Sequence, residues 1–567
     1  MVIGGTLDEY MPGRHEHPHQ SYAKQKGSPL TATQLQRLDR IFQSSAWAWA
    51  GRVLLILALT ALAFLFLVYV LYAGALIRFP FDYDQGEGFE LWDAVLFSRG
   101  EWIYRDSNTY PFYSSNYPPV FPLLLVPGVW LFGPHLWVGR AWSFIATLIS
   151  GGAIFWIIYR ETKDWTAALL PASAFFASNI VYQVGPLFRL QATMVMFGLL
   201  GVAMMSKIEE AGKGQRYLWA SMLFLLLAGY TKQLAFDAVL AAFIFLFLRR
   251  PRQAVLYGAG FAIVVGLIFW GLNSATDGQW FINTMAANAN PFIPGQALTF
   301  YIQWFNLHRV IVLLAGLYVL YTLYVDRISV YSLYFVLSTA VGALSGKWGA
   351  GPAYFMTAIA AACISAGLML GILRRWLRQL AEQPSEQRRM WGRAGLAAFG
   401  IIVPLLFLYQ ARLNLHLPLD HPLTRPVARV LNLPEYDPNR FRQDYYDTVG
   451  YTQLGHLPNE EDIAAGWRIV EWARSTPGLV WSEEATFEIL AGKEVVTNPT
   501  QLLNLYQQGR LDTREMIEMI NEQAFDVVIF RAQFYPLPVL DAFGQNYQIV
   551  EQIAMNGFTY TILVPKE

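Results

Sequence analysis

The chain has 567 residues, of which 55% are hydrophobic and 14% charged, with a mean hydropathy of +0.32; that balance excludes a soluble multidomain protein and defines a multi-spanning membrane protein. Forty-one basic residues offset forty-one acidic ones, so net charge makes no case for nucleic acid as a partner. A single cysteine, Cys363, inside an apolar run, excludes a disulfide framework, a Cys-based zinc site and an iron–sulfur cluster.

Residues 1–50 are polar, with Arg14, Lys24, Lys26, Arg37 and Arg40, and hold no apolar core of a secretion signal. They are expected to form a disordered cytoplasmic tail. The His tract Arg14-His15-Glu16-His17-Pro18-His19 within it receives no metal role, because such tracts bind metal adventitiously. Residues 53–77 carry no charge, and about 25 helical residues reach about 37 Å, enough to cross a bilayer. Further apolar runs lie at 136–159, 165–183, 190–205, 217–230, 234–248, 254–272, 310–325, 330–344, 353–373 and 394–409, which makes about eleven spans. Segment 118–132 is apolar but short and proline-rich, and is read as interfacial or re-entrant.

Alternate threading from a cytoplasmic N-terminus puts Arg160/Lys163, Lys207/Lys213/Arg216, Arg249/Arg250/Arg252, Arg327 and the Arg374–Arg393 cluster in cytoplasmic loops, as the positive-inside rule requires. The expected organisation is a transmembrane domain over 51–411, with external loops 78–135 and 273–309, and an extracytoplasmic α/β domain over 412–567, in a plasma-membrane protein. In that tail, 479–481 and 527–530 read as buried strands, 486–491 and 513–522 as helices, and 548–554 with 558–564 as a hairpin turned by Asn556-Gly557. No Gly-rich phosphate loop and no Ser-His-Asp order is found there.

After the first span the chain reads Phe81-Asp82-Tyr83-Asp84-Gln85-Gly86-Glu87-Gly88-Phe89-Glu90, four carboxylates in nine residues. Asp84 and Glu87 are three apart, so one helical turn would place them on one face, and partial desolvation at an interface raises a carboxylate toward the range of a general base. Downstream come Gly100-Glu101-Trp102-Ile103-Tyr104-Arg105-Asp106, Asn116-Tyr117-Pro118-Pro119 and Gly139-Arg140, then Lys232-Gln233 and Lys347-Trp348-Gly349-Ala350-Gly351-Pro352-Ala353-Tyr354-Phe355, with Trp481-Ser482-Glu483-Glu484 in the tail. In order and sidedness these motifs resemble the GT-C glycosyltransferases, the class of the protein O-mannosyltransferases and the aminoarabinose transferases that act on lipid A. The resemblance covers nearly the whole chain after residue 50.

The resemblance implies a GT-C-like α-helical polytopic fold and transfer of a sugar from a polyprenyl-phosphate donor, embedded in membrane lipid, to an acceptor glycan, lipid or protein. It maps the catalytic acid onto Asp84 and the second acid of an Asp-x-x-Glu motif onto Glu87, with Asp82 a competitor for the first role. Where members commonly have Arg-x-Asp, this chain has Arg189-Leu190-Gln191, an amide replacing the acid. A carboxylate base with a phosphate leaving group needs no separate acid and predicts inversion. The isolated outer cations Arg189, Lys232, Arg309 and Lys347 are candidates for the phosphate. Tyr117, Gln233, His308 and Tyr354 complete the candidate substrate contacts. No metal ligand set has convincing spacing, so a divalent metal is not indicated and no cofactor is assigned. The alternative is a transporter or lipid flippase, which predicts matching halves and ionisable residues at mid-membrane, where Asp237 is the lone acid to cite.

Overall fold

In a computed structural model, which describes residues 39–40, 44–418, 421–432 and 457–567, each of the eleven apolar runs contains a helix. The His tract and most of the N-terminal tail lie outside the described residues. The helices used below are α1 (Ser45–Arg78), α2 (Glu87–Ser98), α3 (Val120–Phe132), α4 (Leu136–Thr162), α5 (Trp165–Ala177), α6 (Asn179–Val184), α7 (Gln191–Met205), α8 (Gly214–Thr231), α9 (Phe236–Arg249), α10 (Pro251–Ala275), α11 (Pro294–Tyr324), α12 (Val330–Val341), α13 (Met356–Ala381) and α14 (Glu386–Leu413). Six stretches are long and apolar enough to cross a membrane: α1, α4, α10, α11, Pro352–Ala381 and α14. The run at 165–183 is broken at Ser178, whose side chain accepts from the Val181 N–H and restarts the chain as α6, a side-chain cap in place of a continuing helix. Segment 118–132 becomes the 13-residue α3, too short to cross alone.

Residue size decides the centre of the bundle. Helix α13 carries Ala358, Ala360, Ala361, Ala362, Ala366 and Cys363, all buried, and small side chains let neighbouring helices approach closely where apolar lipid offers little hydrophobic drive. Helix α10 is the opposite case: Val255, Leu256, Ile263, Leu267 and Trp270 are exposed, as an outer, lipid-facing helix requires.

The connections sort onto two ends. At one end the basic loops meet: Arg160 pairs with Glu210, Arg250 donates to the Ile208 carbonyl, Arg249 to that of Ile328, and Arg374 to Asp164. The other end gathers the 79–117 loop, the chain around Arg189, Lys232 and the 347–354 turn. The C-terminal part packs on this second end. Its sheet has the order β1-β2-β4-β3, from β1 (Leu479–Ser482), β2 (Phe525–Phe530), β3 (Tyr547–Met555) and β4 (Phe558–Pro565); β1 and β2 are parallel, the rest antiparallel. Asn556 and Gly557 both have positive φ, the turn chemistry of a tight hairpin. Phe81 lies against Trp467 and Phe487, Phe112 against Trp481, and Gln501 donates to Asn283 at 2.8 Å, so the 78–135 and 273–309 segments are both held by the C-terminal part.

Candidate active site

The four carboxylates of the acidic run divide into two braces and two cavity groups. Glu87, at the start of α2, is fully buried; it accepts from the Tyr83 and Asp84 N–H groups at 2.9 and 3.1 Å, from the Phe188 N–H at 2.7 Å, and from Arg140 at 2.9 and 2.6 Å. Burial would raise its pKa, but the Arg140 guanidinium and these amides hold it below the ordinary carboxylate range. Arg140 also donates to the carbonyls of Leu76, Phe79 and Phe81, tying the end of α1 and the acidic loop to α4. This corrects the expectation that Asp84 and Glu87 share a helical face: Asp84 precedes the helix, and the Glu87 carboxylate folds back onto loop amides. Asp82 is also turned inward, accepting from the Gly88 N–H at 2.6 Å. Burial, opposed by a Thr486 hydrogen bond, pushes its pKa up to about 6.

Asp84 and Glu90 face a cavity of about 140 Å³ whose walls include Tyr117, Arg189, Gln191, Lys232 and Tyr354. Asp84 Oδ2 accepts from Arg189 Nε at 2.6 Å, and Arg189 Nη2 donates to the Gln85 carbonyl at 2.6 Å. Asp84 Oδ1 and Glu90 Oε2 are buried with no hydrogen-bond partner among the described residues, the condition of groups kept for a ligand. Lys232 Nζ donates to Gln191 Oε1 at 3.0 Å and stands over the rings of Tyr117 and Tyr354 at 5.4 and 5.1 Å. Thus the amide in Arg189-Leu190-Gln191 orients the lysine.

Burial pushes Glu90 up to about 7, against the pull of Arg189 and Lys232, and pushes Lys232 down to about 8, helped by Arg189 and Lys347. Because the folded value of Glu90 lies above its ordinary 4.5, ionising it destabilises the fold progressively as pH rises through that window, by up to about 3 kcal/mol. Purified Glu90→Gln is therefore expected to melt higher than wild type at pH 8, with little difference at pH 4.5. A pH-independent difference would remove this account.

Lys347 is half-buried, beside the 349–354 wall. The other sequence candidates lie elsewhere. His308 is buried at a kink in α11, between Ser178 Oγ at 2.7 Å and the Trp304 carbonyl at 2.8 Å. Arg309 bonds Asn306 on its own helix, and Gln233 donates to the Thr284 carbonyl. None of the three lines the cavity. Glu90 is an ionisable cavity residue that the sequence candidates omit, as they do Gln183 and Gln191; its signal was membership of the acidic run, six residues beyond Asp84.

Gly86 sets the distance between loop and cation. Its φ is +120°, and an added Cβ would lie 2.7 Å from both Arg189 Nη atoms. Gly86→Ala is expected to cost about 1–3 kcal/mol of stability through backbone strain and to push Arg189 off Asp84, lowering activity as well. Unchanged melting and activity would show that this approach is unimportant.

Residues 116–270 match the family model described as dolichyl-phosphate-mannose-protein mannosyltransferase. A search of curated proteins gave no match. Among solved structures, the chain is similar to ArnT from Cupriavidus metallidurans in the apo state, with a TM-score of 0.55 and 12% identity over 92% of this chain and 98% of that one. It is likewise similar to the same organism's ArnT bound to undecaprenyl phosphate, with a TM-score of 0.53 and 13% identity over 89% and 97%. Over residues 116–270 the chain is thus similar to the dolichyl-phosphate-mannose-protein mannosyltransferase family, and over nearly its whole length it has a fold similar to that of ArnT, with helices long and apolar enough to cross a membrane.

Proposed function

We propose that this protein transfers a sugar from a polyprenyl phosphate to an acceptor hydroxyl, with inversion, at the end of the bundle that carries the acidic loop. The observation that carries the reading is the cavity itself: a carboxylate oxygen, Asp84 Oδ1, left without a protein partner in one hollow with Arg189 and Lys232. The acceptor oxygen attacks the anomeric carbon and passes its proton to Asp84. The bond from that carbon to the phosphate oxygen breaks, and polyprenyl phosphate departs with the electron pair. Arg189, positioned by Asp84 and Gln85, and Lys232, positioned by Gln191, neutralise the phosphate; Lys347 adds charge from the rim. Phosphate is a good leaving group, so no second acid is required. Glu87 acts as a positioning residue, holding the loop that presents Asp84. The undecaprenyl phosphate held by the similar ArnT supports this donor class, and the basic loops at the far end support a cytoplasmic placement of that end.

A transporter reading fares worse. Asp237 lies in the first turn of α9, where its carboxylate accepts from the Ala238 N–H; it is an end group, not a mid-membrane ion site.

The test is release of labelled sugar from polyprenyl-phosphate donors, mannosyl and arabinosyl among them, by purified protein supplied with envelope acceptors. Lys232→Met is expected to raise the donor KM about 10- to 100-fold, the weight of a hydrogen bond to a charged group, with a smaller change in kcat. An unchanged KM would remove the phosphate role, and no turnover with any donor would remove the enzyme reading.

A further inference from the structure

The basic end of the bundle holds a second and larger hollow, of about 510 Å³, between α1, α5, α13 and α14. Along α1, Arg52 and Arg78 are 26 residues apart, about 39 Å at 1.5 Å per residue; this hollow and the Asp84 cavity therefore lie at opposite ends of the bundle. Its mouth carries four guanidinium groups: Arg52, Arg374, Arg378 and Arg393. Beneath them Leu55, Leu170 and Val403 form apolar walls.

Two of the four arginines are already neutralised. Arg374 donates to both oxygens of Asp164 at 2.8 Å and to Thr166 Oγ1 at 2.7 Å, while Asp164 also caps α5. Arg393 pairs with Asp39 at 2.6 Å. Arg52 and Arg378 have no carboxylate partner among the described residues, so two positive charges are left above a deep apolar hollow. Arginines at helix ends commonly snorkel singly to the headgroup layer. Here, however, helices distant in sequence bring them to one interhelical hollow, an arrangement that suits a phosphate head over acyl chains, since a guanidinium fork matches phosphate oxygens and basic pockets between membrane helices hold anionic headgroups.

We propose that this hollow is a binding site for an anionic glycerophospholipid, with its phosphate between Arg52 and Arg378 and its acyl chains against α1, α5 and α14. Charge complementarity selects this occupant: a neutral or zwitterionic lipid would fill the apolar part but leave the two cations unanswered. The site is independent of sugar transfer at the other end. Bound lipid would join the first and last helices of the bundle to its central helix α13.

The test is native mass spectrometry of the full-length protein in detergent with dioleoyl phosphatidylglycerol or dioleoyl phosphatidylcholine. Retention of the anionic lipid is expected to exceed that of the zwitterionic one by about thirtyfold, the combined effect of two basic residues near a lipid surface. The pair Arg52→Gln with Arg378→Gln is expected to abolish that preference. Gly400→Leu provides a second variant that retains every guanidinium: an added Cβ meets nothing within 4 Å, so the side chain has room to occupy the hollow, and retention of the lipid is expected to fall. Equal retention of the two lipids by wild type would overturn the proposal, as would full retention by Gly400→Leu. Displacement of the lipid by inorganic phosphate would show a simple anion site instead, and failure of the full chain to retain either lipid would show the hollow filled by the protein itself. If the double variant does not elute as a folded particle, Gly400→Leu and the lipid comparison decide.

Discussion

Asp84→Asn is expected to lower sugar transfer by about 10²–10⁴-fold, the usual contribution of a positioned general base, while leaving the fold intact. The amide oxygen can still accept from Arg189 Nε, which now donates to Asp84 Oδ2 at 2.6 Å, so the loop retains its anchor to the cation. What is lost is proton affinity at the oxygen that faces the cavity without a partner. The measurement is single-turnover transfer from a labelled polyprenyl-phosphate sugar, with a melting curve on the same preparation. Full activity in the variant would end the assignment of Asp84 as base. Glu90 is the second carboxylate in the same cavity, and Glu90→Gln separates the two: if Glu90 alone carried the proton, Asp84→Asn would be active and Glu90→Gln inert.

Arg140→Met is expected to destabilise the protein by about 3–5 kcal/mol, the cost of leaving one member of a buried ion pair uncompensated. Glu87 and Arg140 are both fully buried, and their charged atoms lie 2.6 Å apart. Changing both, Arg140→Met with Glu87→Leu, removes the orphaned charge but is not expected to restore stability fully. The Leu76 carbonyl would keep the Phe79 N–H, but those of Phe79 and Phe81, which Arg140 now satisfies, would lose that donor, and each such loss costs about 1–3 kcal/mol. The pH dependence has a fixed sign. Because the pKa of Glu87 is lowered from 4.5 by its partners, its stabilising contribution is complete above about pH 4.5 and fades as pH falls through the lower folded value. Thermal melting of wild type and both variants between pH 3 and 7 checks this; a double variant as stable as wild type would show that the Phe79 and Phe81 carbonyls find other donors.

The two variants together separate chemistry from architecture within one acidic run. Asp84→Asn should lose activity at constant stability. Arg140→Met should lose both, because the loop carrying Asp84 hangs from the guanidinium that braces Glu87. The same division predicts that substitutions at Asp82, Asp84 and Glu87 act for two different reasons, architecture at Asp82 and Glu87 and chemistry at Asp84.

Much of the molecule was legible before any coordinates. Helices stand where apolar runs predicted them, since a span must satisfy its backbone polar groups internally, though six of them, not eleven, are long and apolar enough to cross a membrane by themselves. The strands at Leu479–Ser482 and Phe525–Phe530 and the hairpin turned by Asn556 and Gly557 follow from short apolar runs and one local turn signal. Asp84, Arg189, Lys232, Tyr117 and Tyr354, all named from the chain, meet in one cavity. Spacing misled at Glu87 because helical periodicity indicates which residues are neighbours, not which donors claim their oxygens. Composition likewise did not separate His308, held by its own helix and by Ser178, and Arg309, which bonds Asn306 on its own helix, from cations that reach a cavity.

By itself the sequence determined the membrane class, the places of the helices and the presence of a dense acidic run beside the first of them, because hydropathy and turn chemistry act over short stretches of chain. Only the tertiary structure decided that Asp82 and Glu87 brace the loop while Asp84 and Glu90 face open space. The physical reason lies in distance along the chain: three of the five hydrogen bonds that hold Glu87 come from Arg140 and Phe188, which are 53 and 101 residues away, and only two from its own loop. A carboxylate becomes a strut or a reagent according to whether such remote partners arrive.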